Sequence, residues 1–179
     1  ALSEQPIKIF STAPFMASIS RRAHGIDSAD LNELLSREDI VGLGESYWQT
    51  VLQKPDLAVP TLEAALHTGK TLEGHTAGAR GDKLAAYLAA GISSCHEPIT
   101  AGEVLERLRL GIHVMIREGS IRRDLEAIAA IKDSGVDTRR LILVTDGLSP
   151  QDLTEKGGME FVVRKAIDHG FDPIVAVQM

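Results

Sequence analysis

The chain has 179 residues, of which 44% are hydrophobic and 25% charged, the balance of a folded globular domain rather than a disordered one. A formal net charge of −6 argues against a nucleic-acid surface, and the lone Cys95 excludes an intramolecular disulfide framework and fits a reducing compartment. No apolar stretch approaches the roughly 18–20 residues of a membrane span, and the opening ALSEQPIK lacks a signal-peptide pattern, so a cytoplasmic protein with no membrane partner is expected.

The first apolar run, IKIFSTA, reads as a strand. The segment DSADLNELLSR then offers Asp27 or Ser28 as an N-cap, with Leu31, Leu34 and Leu35 at helical spacing. Strand IVGLG follows, then a predicted loop over SYWQTVLQKPDLAVP and a short helix TLEAALHTG closed by Gly69. Strand KTLEG leads through the Gly-rich HTAGARG to helix DKLAAYLAA, closed by Gly91.

Strand ISSC precedes a capping box from Thr100 to Glu103 and a helix, GEVLERLRL, ended by Gly111. Strand IHVMIRE leads to a predicted helix over SIRRDLEAIAAIKDSG. Strand LILVTD leads to Ser149-Pro150, an N-cap followed by the proline favoured at the first helical position. GMEFVVRKAIDHG carries apolar residues at helical spacing, and the chain stops in the apolar run PIVAVQM. Arg107, Arg109, Arg122 and Arg123, interleaved with Glu103, Glu106, Asp124 and Glu126, read as solvated helix faces with paired charges.

Six strands, each followed by helix, imply a parallel sheet with helices packed outside it. No GxGxxG opens the helix after the first strand, which leaves the nucleotide-binding version of this architecture without support. Six units fall short of the eight that close a barrel, and a full barrel takes about 250 residues. The expected fold is α/β, a partial TIM (β/α)8 barrel of about six βα units. Residues 1–179 are read as one catalytic domain truncated at both ends, with an unpaired barrel edge through which a homo-oligomer or inert association can form.

Four strands end in a metal-competent side chain: Glu45 after IVGLG, His75 after KTLEG, His96 after GISSC and Asp146 after LILVT. The C-terminal rim of the strands is where such barrels place their chemistry. Carboxylate and imidazole together suit Zn, Mn, Fe or Co, and a hydrolytic site that activates water near neutral pH is one reading. Helix capping and loop hydrogen bonding are the competing one. His67 and His169 lie in the last turns of helices, where an imidazolium complements the macrodipole; His113 starts a strand at the opposite rim, and His24 falls in a predicted loop, SRRAHG. Tyr47 and Trp48 form either a pocket wall for a flat ring or a core anchor.

The stretches GLGES, LEGHTAG, AAYLAAGISSCHE, LERLRLGIHVMIREGS, LVTD and FVVRKAIDHGFDPIVAVQM, in this order, resemble the adenine deaminases of the amidohydrolase superfamily over nearly the whole chain. The resemblance implies a metal-dependent hydrolase barrel with two divalent ions, Mn, Fe or Zn. Glu45 would bridge the ions, His75 and His96 would bind one, and Asp146 would bind the other and carry the proton as activated water adds to C6 of a purine. Glu97 would orient His96 or donate to the purine. Arg117 and Glu118 would contact the purine edge, with an internal salt bridge as the alternative, and Trp48 would line the pocket. The family's HxH pair is absent from this sequence, so the first barrel strands are expected upstream of Ala1 and the isolated chain is expected to be catalytically incomplete.

Departures from the family pattern fall beside the ligand positions. Asp146 is followed by Gly147-Leu148-Ser149 instead of a second aspartate and basic residues, Glu45 by Ser46-Tyr47-Trp48, and Cys95 stands where an aspartate is usual. They bear on the substrate more than on the reaction type, leaving another aminated heterocycle or a cyclic amide as the alternative. A cytidine-type deaminase, which needs HxE and PCxxC, is excluded by the single cysteine.

Overall fold

Strand and short helix alternate throughout the computed structural model, which describes residues 6–15 and 26–179. His24 lies outside the described residues. The six strands follow in chain order, β1 to β6. All the residue registers that link them within each half are parallel, and helices flank them, the α/β pattern of a partial TIM-type barrel. The chain divides into two compact units, Ala1–Ser93 and Ser94–Met179.

In the first unit β1 (Ser11–Pro14) pairs with β2 (Ile40–Tyr47), which pairs with β3 (Thr71–His75). β1 is shorter than the run IKIFSTA: Ile7 and Phe10 are exposed and pairing begins at Ser11. Helix α1 (Ser28–Ser36) starts where the sequence places it, with Asp27 Oδ1 accepting from Asp30 N at 2.9 Å and Leu31 and Leu35 buried one turn apart.

The stretch expected as a loop after β2 is instead helical. Helix α2 spans Trp48–Gln53 and α3 runs Pro55–His67 with Pro60 inside it. Pro55 occupies the first turn, where a missing N–H costs nothing. Ala58, Leu62 and Ala65 bury a continuous apolar stripe that outweighs the one hydrogen bond Pro60 cannot donate. Helix α4 (Gly81–Ala89) sends Leu84 and Tyr87 inward, and Ser93 N donates to Leu72 O at 2.9 Å at the end of the unit. Leu35, Leu43, Leu62, Leu72 and Tyr87 form the centre of its core.

In the second unit β4 (Ser94–Cys95), β5 (His113–Arg117) and β6 (Leu141–Val144) pair in succession. Helix α5 (Ala101–Arg109) carries the expected cap, Thr100 Oγ1 accepting from Glu103 N at 3.3 Å, while Glu103 reaches back to Ile99 N. The long helix expected after β5 is reduced to α6 (Leu125–Ile128) and a 3-10 turn, Ala129–Asp133. Residues 119–124 form a loop, because Glu118 and Arg123 pair in an isolated antiparallel bridge and Asp124 N donates to Arg117 O.

Two of the charges read as solvated are not. Arg107 is 2% exposed and donates to the Glu103 carbonyl, and Asp124 is buried against Arg117. The unit continues through α7 (Pro150–Glu155), capped by Ser149, α8 (Met159–Asp168) and α9 (Pro173–Gln178), capped by Asp172. The run PIVAVQM is thus helical, and Leu143 N on β6 donates to the Met179 carbonyl. Among the described residues no helix is long and apolar enough to cross a membrane.

Candidate metal centre and its surroundings

Glu45 and His75 meet in the first unit. Parallel pairing sets Ser46 opposite Gly74 and Tyr47 opposite His75, and the register slips between Leu43 and Ser46, the stretch that holds Glu45. Such an irregularity re-aims a side chain out of the regular alternation. Glu45 Oε2 lies 3.3 Å from His75 Nε2, with the imidazole largely enclosed and the carboxylate half open. The His75 ring stacks on Tyr47, with centroids 4.4 Å apart and planes inclined by 13°. One carboxylate and one imidazole nitrogen at that separation form a donor set suited to a borderline divalent cation.

Glu73, two residues before His75, was not among the residues singled out from sequence, although the period of two in TLEGH places it on the same strand face. Burial, and secondarily the Glu45 carboxylate, raises its carboxyl above the ordinary range. Trp48 directs its indole N–H to the Ala77 carbonyl at 2.8 Å, and Lys83 Nζ lies 5.7 Å from its ring centroid. The indole therefore ties the start of α2 to the loop after His75, whichever ligand its face meets.

In the second unit His96 and Glu97 directly follow β4, both half-buried, and Cys95 is buried. Asp146 follows β6 by two residues and is the one described non-glycine residue with positive φ, at 44°. Its carboxylate is 3.4 Å from Arg117 Nη1, while Arg117 Nε donates to Asp124 at 2.9 Å. Arg117 and Glu118 do not bridge each other: Glu118, 3% exposed, accepts from Lys165 Nζ at 2.7 Å. Glu118 also lines an open cleft with Arg123, Thr145, Asp152, Phe161 and Lys165.

The loops after β5 and β6 are laced together. Ser120 N donates to Gly147 O at 3.0 Å and Ser149 N to Ser120 Oγ at 2.8 Å. A Cβ on Gly119 would sit 1.9 Å from the Thr145 carbonyl oxygen, so only glycine permits that approach. The histidines read as structural behave so: His67 Nδ1 is 2.7 Å from the Glu63 carbonyl in the last turn of α3, and His169 ends α8 before Gly170, whose φ is 90°.

No family model matches the chain. Individual relatives do. An adenine deaminase of Cenarchaeum symbiosum is 39% identical over 181 residues, covering 97% of this chain and 29% of its own length. One from Moorella thermoacetica is 39% identical over 98% of the chain and 30% of its own length. One from Rubrobacter xylanophilus is 43% identical over 79% of the chain and 24% of its own length. The chain thus spans about 30% of the length of these relatives while nearly all of it is matched, and over that stretch it is similar to adenine deaminases.

Proposed function

We propose that the protein carrying this chain hydrolyses adenine to hypoxanthine and ammonia with the help of two divalent metal ions. The observation that carries the reading is the Glu45–His75 contact at 3.3 Å, near the C-terminal ends of adjacent parallel strands, in a chain whose relatives are named adenine deaminases. Glu45, His75, His96 and Asp146 would hold the ions. When bound, the ions supply the Lewis acidity that lets water act as a nucleophile near neutral pH.

This chain's own groups do the remaining work. The Asp146 carboxylate would take the proton released as water adds to C6 and return it to a ring nitrogen or the departing amine, so that one water is consumed and one ammonia leaves. Arg117, itself anchored by Asp124, steers that carboxylate. Glu97 would orient His96. Arg117, Glu118 and Trp48 would border the purine, with Glu118 fixed by Lys165 and Trp48 by Ala77. This reading implies a cytoplasmic protein with a purine-like small molecule as its partner and neither nucleic acid nor membrane.

The test follows hypoxanthine and ammonia from adenine with Mn, Fe or Zn supplied, against a chelated control, using the full-length protein. Metal-dependent deamination of adenine is the expected result. Turnover of a cyclic amide or another aminopurine in its place moves the assignment to the related hydrolase, and no turnover of any of them overturns the reading.

A further inference from the structure

We propose that Tyr87 is a positioning residue for the Glu45–His75 pair, its buried hydroxyl pinning the two strand ends that present them. This rests on the metal-site reading above for its consequence, and on the geometry of the first unit for its cause. Tyr87 stands on α4 and is fully buried. Its hydroxyl donates to the Ser46 carbonyl at 2.6 Å and lies 2.7 Å from Ser46 Oγ, which is also 3.4 Å from the Glu73 carbonyl. With the phenolic proton given to the carbonyl, Ser46 Oγ is the donor of the second bond.

Both strands are therefore held at the residue beside the candidate ligand. Ser46 follows Glu45 at the end of the register slip, and the hydroxyl supplies a hydrogen bond to its backbone there. Gly74 precedes His75, and a Cβ on it would come within 1.9 Å of the Tyr87 oxygen, so the phenol occupies the space under β3 that a side chain would fill. Burying a tyrosine hydroxyl is favourable only with partners, and the residue next to Glu45 supplies two of them. The same contact fixes the pairing of Tyr47 with His75, and with it the ring stack that orients the imidazole.

The experiment compares wild type, Tyr87→Phe and Ser46→Ala in the full-length protein, with two readouts. One is the nuclear Overhauser effect between the Tyr47 and His75 rings in metal-free protein; the other is Mn(II) affinity by titration calorimetry. In Tyr87→Phe the ring–ring effect weakens and Mn(II) binds about 10–100-fold more weakly, the range for losing a group that orients a ligand. Amide exchange at Leu31 and Leu35 on α1 stays as in wild type, which separates positioning from general loosening. Ser46→Ala, which keeps the bond to the carbonyl, gives the smaller change.

An unchanged ring–ring effect in both variants overturns the proposal, as does unchanged Mn(II) affinity in a wild type that binds the metal. A wild type that takes up no Mn(II), but whose ring–ring effect weakens on Tyr87→Phe, supports the positioning role and sinks the metal reading instead.

Discussion

Arg117 Nε donates to Asp124 Oδ2 at 2.9 Å, and the same guanidinium reaches Asp146 at 3.4 Å, so a buried ion pair in the second unit steers the exposed carboxylate proposed to transfer the proton. Both Arg117 and Asp124 are below a tenth exposed. Removing one partner of such a pair strands a charge away from water, at about 3–5 kcal/mol. Asp124→Ala should therefore unfold at clearly lower urea concentration than wild type, and Asp124→Asn, which keeps an acceptor for Nε, should lose less. Equal midpoints for Asp124→Ala and wild type would show that Arg117 finds compensation elsewhere.

Gly119 is constrained by space and not by φ. The atoms a Cβ would meet are the carbonyl oxygens of Thr145 and Gly147, at 1.9 and 2.8 Å, and backbone cannot swing aside as a side-chain tip can. Gly119→Ala must push apart the loops that Ser120 laces together on either side of Asp146. A loss of about 1–3 kcal/mol is expected from overpacking of this kind, with deamination reduced beyond what the fraction folded explains. Denaturant midpoints and steady-state rates on the same preparations separate the two effects.

Much of the scaffold was legible because local signals and burial agree. Asp27, Thr100 and Ser149 each cap the helix their position announces, and each of the six apolar runs yields a strand. The failures share a cause. The stretch that holds Pro55 and Pro60 reads as a loop, yet Pro55 sits in a first turn and Pro60 is outweighed by Ala58, Leu62 and Ala65 packing inward. The run after β5 has helical composition, but hydrogen bonds from Asp124 and Gly119 fold its start into a loop, a tertiary preference with no local trace. Glu45 and His75 were visible as strand-end residues. The register slip that turns Glu45 toward His75, and the phenol of Tyr87 beneath Gly74, depend on pairing across strands and were not.

One titration is set by geometry alone. Asp137 accepts three hydrogen bonds from the Arg139 side chain and one from its backbone N–H, and these hold its carboxyl down to about 2. Because the folded value is depressed, whatever the pair adds to stability is fully present above the ordinary aspartate range and is lost as pH falls through about 2. Both groups are exposed, so Arg139→Ala should leave neutral-pH stability nearly unchanged. The carboxyl carbon resonance of Asp137, followed by NMR, should titrate at a higher pH in that variant than in wild type. Identical curves would mean that the fork does not persist in solution.

Asp146 lets stability and catalysis be pulled apart at one position. Its φ of 44° is left-handed, a conformation that costs an ordinary L-residue about 1–2 kcal/mol and that Asp and Asn tolerate better than most. Asp146→Gly relieves that cost, although the more flexible unfolded chain offsets part of the gain. Asp146→Ala keeps the cost and loses the polar side chain that eases it. The expected order of melting temperature is therefore glycine at or above wild type and alanine below it. Deamination by the full-length protein should fall about 10²–10⁴-fold in both, the range for loss of a proton-transferring group. A glycine variant that is as stable as wild type and still turns over adenine at more than a tenth of its rate would remove Asp146 from the proton path.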